Sequence, residues 1–63
     1  MIYTVVVIRE SDGRYTAFVP SLNSVASFGN TVPEALQMVG EAATLYLETL
    51  RDRNWPIPPD NHS

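Results

Sequence analysis

The chain has 63 residues, a formal net charge of −3 and no cysteine. A chain of that length makes one domain that buries about 60% of its unfolded surface, so it is marginal alone and gains from packing against another copy. No disulfide or thiolate metal site is available, and four arginines without a single lysine exclude the clustered positive charge that nucleic-acid binding needs.

The first element runs from Ile2 to Ile8 and is rich in β-branched and aromatic residues, which predicts a strand. Both its faces are apolar: Ile2, Thr4, Val6 and Ile8 on one, Tyr3, Val5 and Val7 on the other. That pattern predicts a central position in the sheet. Its core, Val5 to Ile8, is the longest apolar run and is far too short to span a membrane. No basic segment precedes it, so no signal peptide is expected and the default compartment is the cytoplasm.

Glu10-Ser11-Asp12-Gly13 is a turn, with Gly13 supplying positive φ for a hairpin. Arg14 to Val19 returns as the second strand, with Tyr15, Ala17 and Val19 on one face and Thr16 and Phe18 on the other. Pro20 ends it, because proline cannot donate to a ladder. Leu22, in the connection that follows, is expected to tuck under the sheet edge. Ser24 to Phe28 is the third strand, and Gly29 is expected to let the chain turn sharply out of it.

Thr31 and Glu34 fit the capping-box spacing. The Thr31 hydroxyl would accept the Glu34 N–H, and the Glu34 carboxylate would reach back to the Thr31 N–H. Pro33 lies in the first turn, where its missing N–H costs nothing. The helix is placed over residues 31–53. Its apolar stripe is Val32, Ala35, Leu36, Val39, Ala42, Ala43, Tyr46, Leu47 and Leu50, with Gln37, Glu41, Thr44, Glu48 and Arg51 opposite. The helix should fray near Asn54, since Pro56 biases Trp55 away from helical geometry. Trp55-Pro56-Ile57-Pro58-Pro59 favours an extended path, along which Ile57 could follow a sheet edge. The domain therefore spans 1–59, and residues 60–63 are expected to be a disordered tail.

No catalytic constellation, cofactor loop or metal-ligand set emerges. The only histidine, His62, is in the tail, the serines have no base within reach, and Gly13, Gly29 and Gly40 are too widely separated for a phosphate loop. Trp55 fits either an anchor that closes the core or an anchor for a partner. Met38 and Leu45 lie off the apolar stripe, either as ordinary surface residues or as a second contact face.

The ordered set of motifs resembles the N-terminal domain of HicB-family antitoxins and their stand-alone relatives. The matching pieces are Ile2-Tyr3-Thr4-Val5-Val6-Val7-Ile8, the Asp12-Gly13 turn, Tyr15-Thr16-Ala17-Phe18-Val19-Pro20, Leu22, Gly29-Asn30-Thr31-Val32-Pro33-Glu34-Ala35, Ala42-Ala43-Thr44-Leu45-Tyr46-Leu47 and Ile57-Pro58-Pro59. They cover residues 1 to about 59. Ser21 stands where the family commonly has Asp, and Ser24-Val25 where Gly-Cys-like residues are common. The resemblance implies an α+β fold, β-β-β-α, a partial double-stranded-RNA-binding-domain-like arrangement with room for a short extra strand from the tail. It implies a non-enzymatic protein that sequesters a small basic HicA-like ribonuclease toxin. The alternative is an orphan structural or regulatory module with the same fold and no toxin. Many family members continue into a DNA-binding domain; none follows Ser63 here, so operator binding is not expected. The expected partners are a second copy and such a toxin, with no direct nucleic acid and no membrane. The expected contact residues are Trp55 and Ile57 as apolar anchors and Glu41 and Glu48 as acidic ones, with Glu34 and Asp52 on the same polar side of the helix.

Overall fold

The computed structural model describes residues 3–22 and 25–60. Three strands, β1 (Val6–Arg9), β2 (Tyr15–Phe18) and β3 (Ala26–Gly29), precede one helix, α1 (Val32–Asp52). The strands form an antiparallel sheet in the order β1-β2-β3, with Val7 opposite Ala17 and Ala17 opposite Ser27. The architecture is α+β, as expected from the sequence.

The hairpin closes through Ser11, Asp12 and Gly13. The Glu10 N–H donates to the Arg14 carbonyl at 2.7 Å, and the Gly13 N–H donates to the Glu10 carbonyl at 3.0 Å. Gly13 has φ 91°, so the turn ends in a glycine bulge of the kind common in three-residue hairpins.

β1 is an edge strand, which corrects the central position read from its two apolar faces. Both connections are short, so β2 must lie between its sequence neighbours. β1 is also shorter than the 2–8 expected, and Ile2 lies outside the described residues. Its pairing starts at Val6 because β2 stops at Phe18: the Val19 N–H turns to the Val25 carbonyl at 3.2 Å, and Pro20 carries the chain away.

The sheet buries one face against α1. Ala17, Val19, Leu22, Val25, Ala35 and Val39 form the core, with Tyr3, Val7, Tyr15, Ala42, Ala43, Tyr46 and Leu47 packed on it. Leu22 is fully buried, as its place in the connection suggested. The helix lies over β3 and β2 and only brushes β1.

The helix start follows the capping signals with one change of partner. The Thr31 hydroxyl accepts the Glu34 N–H at 3.2 Å, but the Glu34 carboxylate accepts the Asn30 N–H, at 2.9 Å, instead of that of Thr31. Gly29 belongs to β3, and its φ is not positive. Its role is close approach: a Cβ there would stand 2.4 Å from the Ala35 nitrogen. The helix end is closed, in contrast to the expected fraying. Asn54 adopts φ 59°, its N–H donates to the Arg51 carbonyl at 3.1 Å, and the Trp55 N–H donates to the Leu50 carbonyl at 2.8 Å. These two bonds make a Schellman cap with asparagine in the left-handed position.

The tail contributes no strand among the described residues, since Pro56, Pro58 and Pro59 have no N–H to offer. It crosses the start of the chain instead. The Tyr3 hydroxyl donates to the Pro58 carbonyl, and the Asp60 carboxylate accepts from Thr4 Oγ1 at 2.8 Å and Ser21 Oγ at 2.9 Å.

Gly29→Ala should destabilise the fold by about 1–3 kcal/mol, because the new methyl meets helix backbone that cannot step aside. Gly40→Ala should stabilise it by about 0.5–1 kcal/mol, since nothing lies within 4 Å of a Cβ there. Urea unfolding midpoints at one protein concentration check both; equal shifts of the same sign would refute the packing account of Gly29.

Candidate partner-binding surface

Because α1 sits toward β3, the β1 side of the covered sheet face is left open. An apolar groove of about 240 Å³ runs there, lined by Tyr3, Val5, Leu36, Gly40, Ala43 and Leu47 over a floor of Val19 and Val39. Thr44 and Leu47 also line a second hollow of about 200 Å³, closed by Glu48, Arg51 and Ile57. The two are continuous along one side of the helix from Leu36 to Arg51, a rise of about 22 Å at 1.5 Å per residue. The groove is apolar with charge at its tail end, the composition of a protein contact surface.

The expected contact residues divide. Ile57 and Glu48 lie together in the second hollow. Glu41 is exposed and accepts a long hydrogen bond from Gln37 Nε2 at 3.5 Å, outside the groove lining. Trp55 is 53% exposed, so it does not close the core. The Arg53 guanidinium lies 5.1 Å from its ring centre, a cation–π contact that holds the ring at the helix end. Met38 and Leu45 are both exposed. Leu45 lines a third hollow with Val25, Ala42, Tyr46 and Thr49.

Sequence reasoning assigned Leu36 to the core, yet it is 42% exposed at the groove. The missed signal is stripe width: nine apolar positions are more than a three-stranded sheet, contacted off-centre, can cover. The opposite sheet face has no cover among the described residues, with Ile8 at 46% and Phe28 at 65% exposure.

At the hairpin, Asp12 accepts the Arg14 N–H at 3.1 Å and the Arg14 Nε at 2.9 Å, and Glu10 accepts from Thr16 Oγ1 at 2.8 Å. The backbone bond and the guanidinium hold the Asp12 carboxyl below the usual carboxylate range. These carboxylates are partnered within the turn and remain exposed. Among the described residues no group of three or more His, Asp or Glu could hold a metal ion, and no helix is long and apolar enough to cross a membrane.

The family model described as the HicB-like antitoxin of a bacterial toxin–antitoxin system matches residues 3–63. The chain belongs to the HicB-like antitoxin family. A UPF0150 protein of Synechocystis sp. is 42% identical over 59 residues, covering 94% of this chain and 75% of that relative. A UPF0150 protein of Thermoplasma acidophilum is 41% identical over 61 residues, covering 97% of this chain and 88% of that relative. No solved structure matches the chain. Membership of a HicB-like antitoxin family suggests a non-enzymatic role.

Asp12 should titrate below the ordinary aspartate range, and Arg14→Ala should raise it part of the way, because the bond from the backbone N–H of residue 14 remains. Its folded pKa is depressed, so the small stabilisation of the pair is present above the unfolded value and is lost as pH falls through the folded one. A carboxyl-carbon NMR titration checks this; an Asp12 midpoint unmoved by Arg14→Ala would refute the assignment.

Proposed function

We propose that this chain acts as an antitoxin by protein–protein contact, holding a small basic HicA-like ribonuclease toxin in the groove between α1 and β1. The observation that carries the reading is that groove, apolar along its length with Glu48 at its tail end, on a member of an antitoxin family. Leu36, Leu47 and Ile57 supply the apolar contact. Glu48, with Glu41 on the neighbouring surface, favours a basic partner and speeds its approach. Trp55, exposed at the helix end beside Arg53, is a further anchor. The net charge of −3 suits masking a basic RNA-binding surface and does not suit binding the RNA itself. Such a pair would meet in the cytoplasm.

Co-expression with a small basic HicA-like protein encoded beside this chain should give a complex that co-purifies. Leu36→Glu and Ile57→Glu should each weaken it at least about tenfold, equivalent to about 1.4 kcal/mol, while helical circular dichroism is kept. The chain alone should shift neither RNA nor DNA in a gel at physiological salt. A tight shift by the isolated chain would overturn the reading, and so would a complex indifferent to both groove variants.

A further inference from the structure

β1 carries a contradiction. Its sequence has the two-faced apolar pattern of a central strand, yet in one chain it is an edge. Its outward backbone groups follow from the hairpin. Glu10 and Arg14 form a hydrogen-bonded pair, so by antiparallel alternation Ile8 and Val6 bond to β2, while Val7 and Arg9 point their N–H and C=O groups away from it. No lysine, proline or bulge protects Val5 to Ile8, the usual means of blunting an edge.

We infer that two copies of the chain pair antiparallel through the free edges of β1, making one six-stranded sheet. The segment that continues β1 must be apolar on both faces, and in this chain only Val5-Val6-Val7-Ile8 is uninterruptedly so. A two-fold axis at Val7 fits the register. Val7 exchanges both backbone bonds with Val7 of the second copy, Val6 meets Ile8, and Arg9 lies opposite Val5, which keeps the two arginines apart. Val5 and Ile8, exposed on the two faces of the β1 segment in the single chain, gain cover. A stable interface takes about 800 Å² per copy, about a sixth of the 4597 Å² surface of one chain. The inference is independent of the toxin reading, since it needs no second protein.

Sedimentation of the full chain at low micromolar concentration should give twice 7.0 kDa. A chemically synthesised chain carrying an N-methyl group on the Val7 nitrogen should sediment at 7.0 kDa with its helical signal kept, because the methyl blocks the outward bond and leaves the β2 ladder intact. Phe28→Ser, on the uncovered sheet face, should remain a dimer. In the unmodified chain, amide exchange at Val7 should be as slow as at Ile8, a readout that does not depend on any variant folding. A folded 7.0 kDa monomer, fast exchange at Val7, or a dimer lost with Phe28→Ser and kept with the N-methyl group would each overturn the inference. So would protection of Val7 that appears only when a toxin is added.

Discussion

The close approach of the helix backbone to Gly29 governs the rest of the arrangement. With the Ala35 nitrogen so near the position a Cβ would take, the first turn of α1 rests directly on the end of β3. Thr31 and Glu34 fix the entry by tying the helix N-terminus to the strand exit at Asn30. The helix then has little choice of line: it runs over β3 and β2, and Val39 and Ala35 meet Ala17, Val19 and Val25. A larger residue at 29 would lift the helix and open the core where it is best packed.

The same placement leaves the chain with too little cover for its apolar side chains. Among the described residues, a three-stranded sheet with one helix encloses seven buried hydrophobic residues, while nine large ones are exposed. They are spread over the groove beside α1, the edge of β1 and the free sheet face, so one partner could not cover them all. The off-centre helix therefore leaves separate apolar surfaces on the two sides of the sheet and along β1.

Local signals were the legible part. Thr31, Pro33 and Glu34 mark the helix start, Asp12-Gly13 marks the hairpin and Pro20 marks the end of β2, because each acts through its own backbone or its near neighbours. What escaped depends on contacts between elements. The pattern of β1 reports what the strand is built to be covered by, and cannot tell whether the cover belongs to the same chain. Leu36 reads as core because a helical wheel assumes a sheet as wide as the stripe. Gly29 was seen as a turn residue, although what it accommodates is a helix arriving from six residues on. Asn54 did carry a usable signal, a left-handed-tolerant residue just past the helix and two before a proline, which was outweighed by the expectation of fraying. Of the four expected contact residues, Trp55 was left between core and surface by the sequence, and only the fold exposes it and brings Ile57 and Glu48 together.

The clasp between the ends has a kinetic consequence. The strands and helix follow one another with short connections, so most native contacts form between near neighbours in sequence, the arrangement that folds fast. The bonds from Tyr3 to Pro58 and from Thr4 to Asp60 span 55 and 56 residues and are the exception. Closing so long a loop carries a large entropy cost, repaid by the part-buried Tyr3 bond and by the bonds that Asp60 accepts. The clasp should therefore form after the hairpin and the helix, whose own contacts lie closer in sequence.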